Sequence, residues 1–210
     1  MLALLHTSPL HVPVFEALRD EDHPGLEMRH FVDEELLARA RREGPEAVVD
    51  DVRDALRKAD GARAVLCTCS TIGGIAEEAP AEAGVPVLRV DRPMAAAAVA
   101  EGARAVVLAT VESTLGPTVS LIEEEARRAG RPVAVRTRLV EGAWERFEAG
   151  DVDGCARLVA SAADEVTDAD AIVLAQVSLA RAQRLATTTV PVLSSPRPGL
   201  AAGAQALYQR

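Results

Sequence analysis

Aromatic residues are nearly missing from this 210-residue chain: one Trp, one Tyr and three Phe make up 2% of it. A core without large rings has to be built from Ala, Val and Leu, which suits helices packed closely on a parallel sheet. Cysteine is scarce too. Its three residues are an odd number without framework spacing, which points to a reducing compartment rather than to disulfides. Cys67 and Cys69 form a Cys-x-Cys pair, yet no second Cys or His pair follows at zinc spacing, so no metal site is expected. Basic charge is in deficit, with 23 Lys and Arg against 32 Asp and Glu and a net charge of -9. That balance argues against a nucleic-acid partner, whose phosphates require clustered Lys and Arg. Met1 to Leu5 is too short for a signal-peptide core and lacks a basic lead-in. No apolar run approaches the length that spans a bilayer. A cytoplasmic protein with no membrane partner is the expectation.

What is present alternates. Short apolar runs at Leu2–Leu5, Leu26–Phe31, Ala64–Cys69 and Val85–Leu88 read as strands. Helical segments separate them: one from Val14, one opened by Asp33-Glu34-Glu35, and an amphipathic one over Ala47–Ala59. After Cys69-Ser70-Thr71-Ile72 the pair Gly73-Gly74 is read as opening a further helix, with Glu77–Ala83 helical. Strands alternating with helices indicate a parallel α/β sheet.

The pattern then repeats. Ala103–Thr110 and Val133–Val140 are further strands, and helices are expected over Thr118–Gly130, from Glu141-Gly142-Ala143-Trp144, and over Asp153–Val166. Ala171-Ile172-Val173-Leu174-Ala175-Gln176-Val177-Ser178-Leu179 aligns with Ala64–Ile72 position by position. Val190-Pro191-Val192-Leu193 repeats Val85-Pro86-Val87-Leu88, and Arg197-Pro198 repeats Arg92-Pro93. Several matches in order, at nearly constant offset, indicate an internal duplication. The expected fold is α/β with two pseudo-symmetric lobes, each a short, mainly parallel sheet flanked by helices. Lobe one covers residues 1–91, joined by a C-terminal helix over 199–210, and lobe two covers 92–198. Because ligands bind beyond the carboxyl ends of parallel strands, a cleft between the lobes is expected, with Cys69 and Gln176 on its walls.

With the duplication and Cys69-Ser70-Thr71 in view, the chain resembles the aspartate/glutamate racemase superfamily. That group includes amino-acid and hydantoin racemases, maleate isomerases and arylmalonate decarboxylases. The resemblance covers nearly the whole chain, through the order of the lobes more than through identity. The family's first-lobe motif, Cys-Asn-Thr after an apolar strand, is here Cys69-Ser70-Thr71. Its second-lobe Cys-Thr is here replaced by Gln176-Val177-Ser178, and the Asp-Ser-Gly of glutamate racemases by His6-Thr7-Ser8. The resemblance implies a small carboxylate substrate, no cofactor, a homodimer, and two cysteines acting on opposite faces of a carbon acid. Gln176 cannot exchange a proton at neutral pH, so racemisation by two cysteines is not expected of this chain, and a racemase or isomerase would need a non-cysteine group as its second base.

The site residues follow from these alignments. Cys69 is the expected catalytic thiol, and helix-start N–H groups beside it are expected to lower its pKa below the free value of about 8.5. His6, at a strand end, is expected to hold the thiolate or orient a water, or else only to make a hydrogen bond at the lobe edge. His11, His23 and His30 are read as surface or helix-start residues. Thr7, Ser70, Thr71, Thr110, Gln176 and Ser178 are expected to bind the substrate carboxylate, the hydroxyls also serving as helix caps. Arg92 and Arg197 either neutralise a second carboxylate or are structural. Cys155 and Cys67 read as small buried hydrophobes. Three functions compete. The leading one is cofactor-independent proton transfer by Cys69, of racemase, isomerase or decarboxylase type. The others are a non-catalytic binding or regulatory protein and an oxidant sensor using Cys67 and Cys69.

Overall fold

The computed structural model describes residues 1–208, and the two last positions of the expected C-terminal helix, Gln209 and Arg210, lie outside them. Two compact units make up the chain: residues 1–90 with 196–210, and residues 91–195.

The first unit begins with β1 (Leu2–His6) and α1 (Val12–Asp22), then β2 (Met28–Val32), α2 (Glu34–Glu43) and α3 (Val49–Arg57). It continues through β3 (Ala64–Cys67), α4 (Ser70–Glu77), the single turn α5 (Pro80–Ala83) and β4 (Val87–Arg89). Its sheet is wholly parallel in the order β2-β1-β3-β4, with Leu5 opposite Cys67. Side chains alternate across a strand, so β1 and β3 feed two cores. Ala3, Leu5, Val65 and Cys67 pack with α2, α3 and α4 on one face. Leu2, Leu4 and Leu66, all fully buried, belong to the other face, with Phe15 of α1.

The segment after Cys69 differs from the sequence reading: the expected helix Glu77–Ala83 is broken, α4 ending at Glu77 and α5 being a single turn from Pro80. Gly73 and Gly74 do not open the helix after Cys69; they lie inside α4, which starts at Ser70. A Cβ on Gly73 would come within 3.2 Å of Arg89 Cβ, and one on Gly74 within 3.3 Å of an Arg89 Nη. The glycines leave room for the β4 arginine, at the cost of about 1 kcal/mol each in helix propensity.

The second unit repeats this order. It comprises α6 (Arg92–Glu101), β5 (Arg104–Ala109), α7 (Leu115–Ala129), β6 (Ala134–Leu139), α8 (Ala143–Glu148), α9 (Val152–Asp164), β7 (Ala171–Leu174) and β8 (Val192–Ser194). Its parallel sheet runs β6-β5-β7-β8, strand for strand the order of the first. Ala-rich helices pack on both faces, which small side chains allow without aromatic filling. After β7 the two units part: a 3-10 segment, Val177–Arg184, stands where the first unit has α4.

The last helix, α10 (Pro196–Ala206), belongs to the first unit. Gly199 sits so close to Val90 that a Cβ would meet its carbonyl oxygen at 2.4 Å, and Gly203 rides on Leu2. No helix among the described residues is long and apolar enough to cross a membrane.

Candidate functional site

Strands β1 and β3 end side by side, and their last residues divide between the two faces. Leu5 lies opposite Cys67, so His6 falls beside Thr68 and Thr7 beside Cys69. Thr68 N–H donates to the Leu5 carbonyl at 2.9 Å, which ties the two ends together.

On the α4 face stands Cys69, 7% exposed, at the position that caps α4. As a neutral thiol it makes no cap bond to the helix. The groups that face the sulfur and stabilise its thiolate are the Thr7 hydroxyl, the Ile72 and Thr71 N–H groups, and the Thr71 hydroxyl. Burial is nevertheless the larger influence and holds the thiol above its ordinary pKa. This corrects the expectation of a thiol lowered by the helix start: a dry site costs the anion more than four donors return. Cys69 therefore rests as S–H, with a set of donors waiting for the charge. Ser70 and Thr71 are buried beside it in the first turn of α4. Cys67 is fully buried, its thiol directed at the Cys69 carbonyl at 3.8 Å. Cys155 is buried in the second unit.

On the opposite face His6 is fully buried and turned from the sulfur. Its Nδ1 lies 2.7 Å from Thr68 Oγ1 and its Nε2 lies 2.8 Å from His30 Nδ1. His30 Nε2 in turn lies 2.8 Å from a Glu16 carboxylate oxygen. His30, read from sequence as a surface or helix-start residue, is instead a half-buried residue of β2 stacked on His6, with ring centroids 5.1 Å apart. Thr7, directly after β1, and not His6 is the residue that faces Cys69.

In the second unit, Gln176 stands two residues beyond β7, as Cys69 stands two beyond β3. Its Oε1 accepts the Thr110 N–H at 2.7 Å and the Thr110 hydroxyl at 3.1 Å. A backbone N–H can only donate, so the atom facing it is the amide oxygen and the orientation of the side chain is settled. With both lone pairs of that oxygen used, Gln176 has only N–H donors left to offer. Ser178 is half-buried in the 3-10 segment that follows. Each set is thus local to its own unit: Thr7, Cys69, Ser70 and Thr71 in one, Thr110, Gln176 and Ser178 in the other. Arg92 pairs with Glu124 and Glu125, and Arg197 with Glu21 and Asp22, which favours the structural reading of both arginines. Among the described residues no group of three His, Cys, Asp or Glu is arranged to hold a metal ion.

The sequence profile of a family described as Asp/Glu/Hydantoin racemase matches residues 11–203. Among curated proteins none matches the chain significantly in sequence. Solved structures do. A glutamate racemase from Thermus thermophilus, in complex with β-chloro-D-alanine, superposes with a TM-score of 0.70 at 19% identity, covering 99% of this chain and 80% of that one. The aspartate racemase of Picrophilus torridus gives 0.69 at 16% identity, over 100% and 94%. A variant of arylmalonate decarboxylase with sulfate bound gives 0.64 at 18% identity, over 99% and 93%. At these identities the likeness is one of fold.

Proposed function

Because the chain belongs to the Asp/Glu/hydantoin racemase family, we propose that it catalyses cofactor-independent proton transfer at a carbon next to a carboxylate, with Cys69 as its one acid–base thiol. The observation that carries this reading is the state of Cys69: burial keeps it protonated at rest, while Thr7, Thr71 and Ile72 are placed to stabilise its thiolate. Such a group gives up a proton when a carbanion demands one and is supported afterwards.

Gln176 supports a single-thiol reaction. An amide locked by Thr110 can donate hydrogen bonds to an anionic oxygen but can neither take nor release a proton at neutral pH. Loss of carbon dioxide from a malonate-type acid needs only one acid. The departing carboxylate leaves its bond electrons on carbon as an enediolate, the Cys69 S–H protonates that carbon, and the thiolate recovers a proton from solvent. A racemase or isomerase would need a second proton carrier that is not a cysteine.

The test is turnover in deuterated water with substituted malonates, 2-aryl acids and acidic amino acids. One deuterium incorporated at the α-carbon, with or without decarboxylation, and lost in Cys69→Ala, is the expected result. Tight binding of a carboxylate with neither exchange nor decarboxylation would overturn it in favour of a binding protein.

A further inference from the structure

The chain Glu16–His30–His6–Thr68 links the partly exposed α1 to the residue before Cys69, and its bonds can be satisfied in two ways. His6 is fully buried and neutral: burial, and then the nearby His11 and His30, lower its pKa to about 3. A neutral imidazole has one donor nitrogen and one acceptor nitrogen, so its two bonds must point in opposite senses.

In the first arrangement every proton points outward. Thr68 O–H donates to His6 Nδ1, His6 Nε2–H donates to His30 Nδ1, and His30 Nε2–H donates to Glu16. In the second, His30 carries a positive charge and donates from both nitrogens, to Glu16 and to His6 Nε2. His6 then holds its proton on Nδ1 and donates to Thr68 Oγ1. The Thr68 hydroxyl is released to donate to the Leu5 carbonyl, 3.2 Å away. One proton taken up at His30 therefore moves the His6 proton between its ring nitrogens and turns the Thr68 hydroxyl around.

We propose that His6 and His30 are positioning residues for the Cys69 turn, the protonation of His30 adding a second bond from Thr68 to Leu5 and so tightening the joint between the strand ends that carry Thr7 and Cys69. The inference rests on Cys69 being the working thiol. Thr68 and Cys69 lie on opposite faces of the sheet, so the influence passes through the backbone and not by contact. The other groups around the chain are few. His11 approaches His6 with ring centroids 6.1 Å apart, the Phe15 ring is 5.5 Å away, and Arg19 pairs with Glu16 from one turn along α1. Arg19 thus holds one oxygen of the Glu16 carboxylate while His30 meets the other.

The tautomer of His6 is readable directly by nitrogen-15 NMR of the full chain labelled at histidine. The expected result is a proton on Nε2 at high pH and on Nδ1 at low pH, with the crossover moved to lower pH in Glu16→Gln, which removes the counter-charge of His30. In His30→Asn the crossover is lost. The rate of Cys69 alkylation against pH should show a matching second inflection, lost in His30→Asn and in Thr68→Val. A single His6 tautomer across the range would overturn the relay. A tautomer switch without any second inflection would overturn its positioning role. Neither result bears on deuterium exchange, which tests the reading of Cys69 separately.

Discussion

Replacing Thr7 by Val removes one donor that faces the Cys69 sulfur while keeping the shape of the side chain. Both residues are buried, at 4% and 7% exposure, so water does not take the place of the lost hydroxyl. A hydrogen bond to a charged group is worth about 1.5 kcal/mol at the low end. Losing it reduces the thiolate fraction about tenfold at any pH below the thiol's ionisation. The less stabilised thiolate is also more nucleophilic, with a Brønsted slope of about 0.4 to 0.5, which returns about half of the logarithm. Alkylation of Cys69, followed on its own peptide by mass spectrometry so that Cys67 and Cys155 do not contribute, should therefore slow about threefold. Where the thiol is fully ionised the order should reverse, the Thr7→Val thiolate reacting about threefold faster, because access is unchanged and only the difference in nucleophilicity remains. Thr7→Ser, which keeps the hydroxyl, should react like the wild type. An unchanged or faster rate in Thr7→Val at neutral pH would refute the placement of Thr7 as a donor to the thiolate.

Two further perturbations address the histidine and the glutamine. His6 has its pKa lowered from 6.5 to about 3, mainly by burial, so the fold binds fewer protons than the unfolded chain between those values. The stability it contributes is complete above pH 6.5 and is lost as pH falls toward 3. Urea unfolding at pH 5 against pH 7 should show a loss of about 2 kcal/mol from this residue alone, and equal stability at the two values would contradict the assignment. Gln176→Glu keeps an oxygen for Thr110 but turns the outward donors into acceptors. The affinity for malonate, measured by calorimetry, should fall about tenfold or more with folding unchanged, and retained affinity would remove Gln176 from the binding role.

Much of this was legible in the residues. The apolar runs gave the strands because buried parallel strands need continuous Ala, Val, Ile and Leu, and the repeated Val-Pro-Val-Leu marked the corresponding strands β4 and β8. The Cys69 turn was visible for the same reason: polar residues directly after a buried run have to lie at a strand end. The helix start was misplaced because Gly73 and Gly74 look like a turn, and their use depends on Arg89, a tertiary neighbour on β4. His6 was assigned to the sulfur because both fall at strand ends. Alternation puts it with Thr68 instead, which becomes clear once Leu5 is known to lie opposite Cys67. His30 and Glu16 carried no local signal. They meet His6 only through the pairing of β2 with β1 and the packing of α1. The lowered thiol pKa failed on magnitude: helix-start donors were visible in sequence, whereas the depth of burial was not.

The placement of α10 bears on the order in which the protein is made. Residues 91–195 form an uninterrupted unit that has every strand and helix it needs once its own stretch has left the ribosome. The first unit does not. The face formed by Leu2, Leu4 and Leu66 waits for Gly199, Leu200 and Gly203, which are synthesised only after the whole second unit. The strands that carry Thr7 and Cys69 are thus translated early but sealed late. A nascent chain arrested before Pro196 would hold a finished second unit and a first unit with one side of its sheet covered by α1 alone, a natural point for a chaperone to hold the chain and for a protease to discard it.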